Sequence, residues 1–238
     1  MWGSCARGDR PYTGGVAVQT PFFDRVVAGR LLADKLAGRA GQPDLIVLAL
    51  PRGGVPVAAE VAWRLHSPLD VFVVRKLGVP GQKELAMGAI ASGGVRVIHQ
   101  EVVDLLGIPP EVMEEVAGEE QRELERRERA YRKGLPAPGV VGKTIIVVDD
   151  GVATGSTMLA AVAALRKQGA DRIAVAAPVM SPAAFIEMGK AADEVAALVV
   201  PGRFGSVGQW YGDFAQTTDG EVRRILAQAG VKFRKWDG

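Results

Sequence analysis

The chain has 238 residues, 48% of them hydrophobic and 24% charged, with a formal net charge of +2. That length suits one large α/β domain with a full core, and the near-balanced charge gives no ground for a nucleic-acid or membrane-surface partner. A single cysteine, Cys5, excludes an internal disulfide framework, and His66 and His99 stand at no metal-ligand spacing, so no metal site is assigned to protein side chains. No apolar run reaches the ~20 residues that span a bilayer, and residues 1–20 lack the apolar centre of a signal peptide. The reading is a cytoplasmic protein with a flexible tail over 1–20 and one domain over 21–238.

In chain order, residues 22–38 predict a helix whose apolar face is approximated by Phe23, Val26, Val27, Arg30, Leu31 and Leu36, with Asp24 near its start. Leu45–Leu50 is a continuous apolar run, suited to a strand buried on both faces. The loop Pro51-Arg52-Gly53-Gly54, a helix over Val55–Leu65 and a strand over Val71–Val74 complete a βαβ unit, which implies a parallel sheet. Residues 75–94 interrupt the rhythm with Gly78, Pro80, Gly81, Gly88, Gly93 and Gly94, leaving weak strands at Leu85–Ile90 and Val95–Ile98. A long glycine-rich connection in a compact domain is more often functional than accidental. Residues 110–133 predict a charged surface helix with a narrow stripe of Met113, Ala117, Leu124 and Tyr131, lying on the core or on a partner subunit. Leu135–Gly139 is a linker, after which the alternation resumes. Strands fall at Ile145–Val148, Arg172–Ala177 and Val195–Val200, and helices at Ser156–Gln168, Pro182–Lys190 and Gly220–Ala229. The fold class is therefore α/β: a single doubly wound domain with a parallel sheet of about five strands, a mobile loop or β-ribbon insertion, and a helical insertion before residue 144.

In such sheets ligands bind beyond the carboxyl ends of the strands. The most informative stretch is 144–158, where an apolar strand ends in Asp149 and Asp150 and runs through Gly151, Ala153, Thr154, Gly155, Ser156 and Thr157 into a helix. Free N–H groups at a helix start, with glycines that let a ligand approach the backbone, suit a phosphate. The two acids suit vicinal hydroxyls of a ribose, or a divalent cation near it. No lysine precedes Ser156 or Thr157, so this is not a nucleotide P-loop.

Val147–Thr157 resembles the phosphoribosyl-diphosphate (PRPP) motif of type I phosphoribosyltransferases, and element order over 22–216 is similar to that family's. The resemblance implies that Asp149 and Asp150 bind the ribose hydroxyls, and that Gly151, Ala153, Thr154, Gly155, Ser156 and Thr157 bind the 5′-phosphate. It implies that Arg52, Gly53 and Gly54 grip pyrophosphate, with a cis bond at Arg52–Gly53 as one option. It also implies that Lys76, at a strand end, reaches the leaving group from a mobile loop over 76–90, joined by Lys83, with Glu84 orienting the two lysines. Phe204 matches an aromatic that stacks on the base, and Asp213 a later acid near metal and pyrophosphate, two residues further on than in the hypoxanthine-type pattern. Trp210 and Tyr211 read alternatively as a hydrophobic plug under the C-terminal helix.

The implied reaction transfers 5-phosphoribosyl from PRPP, carried with Mg2+, to a small nitrogenous base and releases pyrophosphate. Hypoxanthine-type members place an aspartate where this chain has Ala153 and a lysine in the region of Pro178-Val179-Met180-Ser181, so a 6-oxopurine is not the expected acceptor. Arg52 and Lys76 are the candidate catalytic residues. A homodimer is expected, with the 110–133 stripe as its candidate contact. The alternative reading is a non-catalytic PRPP- or nucleotide-binding regulatory protein of the same fold.

Overall fold

The computed structural model describes residues 22–133 and 137–234. The tail expected over 1–20 and Leu135-Pro136 of the expected linker lie outside the described residues, as do the side chains of Lys83 and Glu84.

Helix α1 (Arg25–Lys35) leads to β1 (Leu45–Ala49), α2 (Gly54–Leu65) and β2 (Leu69–Val71). A ribbon follows, made of β3 (Val74–Val79), β4 (Gln82–Ala91) and β5 (Val95–Ile98). Helices α3 (Gln100–Leu106) and α4 (Pro110–Arg132) then precede β6 (Thr144–Val148) and α5 (Ser156–Lys167). The chain continues through β7 (Arg172–Val179), α6 (Pro182–Ala191) and β8 (Glu194–Val199) to α7 (Asp219–Arg234). The parallel sheet has five strands in the order β2-β1-β6-β7-β8, and the ribbon forms a separate three-stranded antiparallel sheet.

Strand alternation explains the continuous apolar runs. Val47 and Ala49 of β1, Ile146 and Val148 of β6, and Ala174 and Ala176 of β7 join a core with α1, α2, α4 and α7. Their neighbours Ile46, Leu48, Ile145, Val147, Ile173 and Val175 join a second core with α5 and α6. Every residue of β1 is buried, so neither face of the strand has a polar side. Each large aliphatic chain buried this way contributes roughly 1.5–3 kcal/mol against exposure.

Three expectations about local structure change. The buried face of α1 is Ala28, Gly29, Leu32 and Ala33, while Phe23 and Leu31 stay 71% and 47% exposed. Small residues make this face because α1 crosses α2 closely: a Cβ on Gly29 would stand 2.9 Å from the Val57 carbonyl oxygen. The strand expected over 71–74 divides after Val71. The Phe72 amide still donates to Ala49 of β1 (2.9 Å), but Val73 turns to the Ser92 hydroxyl (2.8 Å) and starts the ribbon. Most of the expected loop over 75–94 is consequently strand, and α3, which was not expected, follows it.

The stripe on α4 faces inward. Ala117, Leu124 and Tyr131 are buried in the first core, with Met113 packed against it. That removes the stripe as a dimer contact. The end of the helix is fixed by Arg132, which donates to Asp70 and to the Val71 carbonyl at 2.8 Å each. Gly118, inside α4, would meet nothing within 4 Å if it carried a Cβ. Gly118→Ala is therefore expected to stabilise the protein by about 0.5–1 kcal/mol. Thermal unfolding checks this, and a lowered midpoint would contradict it.

Candidate active site

The strand order places a topological switch point between β1 and β6, since the chain leaves β1 for β2 on one side and returns at β6 on the other. Ala49 pairs with Val148, so the two strands end level. The loop after β1 and the acids after β6 therefore meet at one crevice.

They meet closely. A Cβ on Gly53 would lie 2.1 Å from Asp150 Oδ2, and one on Gly54 would lie 2.7 Å from the Val148 carbonyl oxygen and 2.9 Å from Asp149 Cα. The paired glycines are thus required by the approach of the β1–α2 loop to the acids. The peptide bond before Arg52, Pro51–Arg52, is cis, one bond earlier than the Arg52–Gly53 position the family resemblance suggested. The Arg52 guanidinium lies beyond the glycines, 3.8 Å from Asp219 at the start of α7, and Asp219 also accepts from the Tyr131 hydroxyl at 2.9 Å. Burial and that bond push the Tyr131 phenol up to about 12, so it remains a donor.

Asp149 and Asp150 retain partial solvent access at the end of a strand that is otherwise buried. Asp149 Oδ1 accepts from the Asp150 amide at 2.9 Å. Burial first, and the Asp150 charge second, push the Asp149 carboxyl well above the ordinary carboxylate range. Burial also raises Asp150, against the hydrogen bond and charge of Arg25, whose Nε donates to Asp150 Oδ2 at 2.8 Å. The pair is unequal: Asp150 holds a cation, and Asp149 has none bonded to it among the described residues.

The phosphate loop is held from the side. Val152 bridges to Met180, the Ser181 amide donates to the Val152 carbonyl (2.8 Å), and the Ser181 hydroxyl donates to the Ala153 carbonyl (2.6 Å). Gly155 enters α5 with φ +79°, and no side chain caps the helix. Ser156 N–H reaches only Thr154 Oγ1, at 3.5 Å, and such a helix start favours an anion. The hydroxyls of Thr154 and Ser156 lie 3.2 Å apart there.

The segment after β8 arches back over the crevice. Val207 seats on Gly151, where a Cβ would be 2.4 Å from its Cγ1. The Tyr211 hydroxyl donates to the Asp150 carbonyl at 2.5 Å, and its ring packs on Phe22 and Phe214. Burial raises the Tyr211 phenol, so it too stays protonated. Tyr211 is thus part of the acid-pair wall and not a plug under α7.

The expected site residues divide accordingly. Asp149, Asp150, Gly53, Gly54 and the loop 151–157 gather at one crevice, with Arg52 at its margin. Lys76 lies inside β3, not at a strand end, and lines a groove of about 480 Å³ with Glu115, Glu119 and Glu120 of α4. Phe204 is half-buried. Asp213 is turned into its own segment, with Oδ1 accepting from the Ala215 amide at 2.9 Å and its amide donating to Phe23 at 2.7 Å. Arg25 had no assigned role in the sequence and Tyr211 only that of a hydrophobic plug, because their partners are 125 and 61 residues away. Among the described residues no cluster of three or more His, Cys, Asp or Glu is arranged to hold a metal ion. Among them, too, no helix is long and apolar enough to cross a membrane.

A parallel α/β sheet with two acids at its switch point, followed by a helix start without a side-chain cap, defines a class of α/β domains that set carboxylates beside an anion-favouring helix N-terminus. The family model described as "Phosphoribosyl transferase domain" matches residues 25–196, and the chain belongs to that family. A Mycobacterium tuberculosis H37Rv protein with a provisional phosphoribosyl transferase name is 46% identical over 212 residues, covering 89% of this chain and 48% of the relative. The chain therefore spans about half the length of the curated relatives it matches. The solved structure of TT1426 from Thermus thermophilus is similar with a TM-score of 0.79 and 42% identity, covering 88% of this chain and 99% of that one. A shorter likeness, 44% identity over 59 residues, links 24% of this chain to 21% of the ribose-phosphate pyrophosphokinase of Pyrococcus furiosus.

Proposed function

We propose that this domain binds PRPP and transfers its 5-phosphoribosyl group to a small nitrogenous acceptor, releasing pyrophosphate. The observation that carries the reading is the convergence of Asp149, Asp150, Gly53 and the uncapped start of α5 at one switch point.

In this reading Asp149 and Asp150 accept hydrogen bonds from the ribose 2′- and 3′-hydroxyls. The amides of 153–157, with the Thr154 and Thr157 hydroxyls, hold the 5′-phosphate. Gly53 and Gly54 let the backbone approach the pyrophosphate, and Arg52 supplies a forked cation to its oxygens. Fixing both ends of the donor leaves C1′ between them, so positive charge can develop there while the leaving group is already held. A doubly acidic wall with little internal cation is suited to a substrate that arrives with its own metal ion. Mg2+ carried on PRPP oxygens would neutralise pyrophosphate charge at the Arg52 side of the crevice.

Ala153, which can neither donate nor accept through its side chain, and the apolar Val179-Met180 before Ser181 support an acceptor other than a 6-oxopurine. One observation favours the second reading, a PRPP- or nucleotide-binding regulator without turnover: Asp213, matched to an acid near metal and pyrophosphate, is bonded into its own segment. Titration with PRPP and Mg2+, followed by pyrophosphate release across a panel of nucleobases and amines, separates the two. Binding with release is expected. Binding without release for every acceptor would select the regulator, and no binding would remove both.

A further inference from the structure

We propose that Arg25 is the positioning residue for ribose recognition: it orients Asp150, and through it the segment over the crevice becomes part of the ribose site. This rests on the PRPP reading above. Arg25 stands at the first position of α1, where the helix dipole disfavours a cation. Its placement is therefore poor for the helix, and its contacts lie elsewhere. Nε donates to Asp150 Oδ2 at 2.8 Å, with the two side chains 11% and 14% exposed. NH1 donates to the Ala215 carbonyl at 2.7 Å, and the guanidinium lies 3.9 Å from the centre of the Phe214 ring. Charge, hydrogen bond and ring stacking fix one orientation of a planar group, which is what guanidinium does and an ammonium does not.

The consequence falls on one carboxylate. Arg25 takes Oδ2 of Asp150 and leaves Oδ1 outside the ion pair. Tyr211 holds the backbone carbonyl of the same residue from the opposite segment. The Phe22–Tyr211 bridge and the Gly212 and Asp213 amides, which donate to Phe22 and Phe23, join the start of α1 to that segment. Asp150 is thus clamped by two elements 125 and 61 residues distant. The ribose-bearing half of a ligand depends on this clamp, while the pyrophosphate half, on Arg52 and the glycines, does not.

The test compares two probes by calorimetry with Mg2+ present: ribose 5-phosphate, which reports the clamped carboxylate, and pyrophosphate, which does not. Arg25→Ala is expected to weaken ribose 5-phosphate about tenfold or more, the scale of one lost charge-assisted hydrogen bond, and to leave pyrophosphate within about twofold. Arg25→Lys keeps the charge and is expected to recover part of the loss. Unchanged ribose 5-phosphate affinity in Arg25→Ala overturns the proposal. So does an equal loss for both probes without recovery in Arg25→Lys, since that is the mark of a merely structural residue. Failure of the PRPP reading is seen differently, as a wild-type protein that binds neither PRPP nor ribose 5-phosphate, and the proposal then falls with it.

Discussion

Asp149→Asn is expected to make the protein more stable and to weaken its hold on a ribose. Asp149 is a carboxylate at the end of a buried strand, paired with the Asp150 carboxyl and accepting from the Asp150 amide. An asparagine Oδ1 can accept the same bond without the charge. Removing a charge that burial and the Asp150 carboxylate disfavour more than Arg25 and the Asp150 amide support it is expected to add about 1–2 kcal/mol at neutral pH, or roughly 2–8 °C in the unfolding midpoint of a domain this size. The sign with pH follows from the direction of the shift. The folded carboxyl lies above its unfolded value, so its favourable contribution is complete below the unfolded value and is lost as pH rises through the folded one. The gain from Asp149→Asn should therefore be largest at neutral pH and shrink as the medium becomes acid. Ligand affinity should move the other way. Ribose hydroxyls donate best to ionised acceptors, so PRPP affinity of the wild type should fall as pH drops through the raised value. Asp149→Asn with Asp150→Asn should lower PRPP affinity by about a hundredfold or more, for two lost charge-assisted bonds. A variant that binds PRPP as the wild type does would move the ribose site elsewhere, and a variant that melts lower at pH 7 would show that the Asp149 charge has a partner.

The legible part of this molecule is the part whose contacts are local. The strand Thr144–Val148, the acids and the start of α5 are contiguous in the chain, so their order alone indicates a ligand edge. The core strands were readable because burial on both faces demands uninterrupted apolar residues, as in Leu45–Ala49. The face of α1 was not readable by hydrophobic size, because close crossing against Val57 selects Ala28, Gly29 and Ala33 over larger side chains. The α4 stripe had the right period, but periodicity names a buried face and not what buries it. Arg25 left one usable signal: a cation in the first turn of a helix with no acid in that turn, a position where it works against the dipole. Its partner could not be inferred, since 125 residues and most of the sheet separate it from Asp150. Lys76 shows the converse. A lysine beside glycines reads as a loop cation, but Leu77 and Val79 alternate into the core and place it on a strand beside an acidic helix.

Adjacent glycines in the β1–α2 loop are expected to fail in different ways when replaced by alanine. Neither is kept for an unusual backbone angle: Gly53 has φ −58° and ψ −34°, which any residue adopts, and Gly54 is the first residue of α2. Space decides. In Gly53→Ala the new methyl would stand 2.1 Å from Asp150 Oδ2, the tip of a side chain that can rotate away. Rotation breaks the 2.8 Å bond to Arg25 and turns the carboxylate out of the position that a ribose requires. The expected result is a midpoint lowered by the loss of that ion pair but less than in Gly54→Ala, with ribose 5-phosphate and PRPP affinity reduced about tenfold or more. In Gly54→Ala the methyl would stand 2.7 Å from the Val148 carbonyl oxygen and 2.9 Å from Asp149 Cα, which are backbone atoms of a central strand. These atoms cannot turn aside; β1 and β6 must separate or α2 must shift, at a cost of about 1–3 kcal/mol. Gly54→Ala should therefore lower the midpoint by roughly 2–12 °C and reduce binding of every ligand together. Parallel thermal unfolding and calorimetry on the two variants decide the matter. If Gly53→Ala proves the less stable of the pair, or binds ribose 5-phosphate normally, then the β1–α2 loop does not set the orientation of Asp150, and its glycines serve the fold alone.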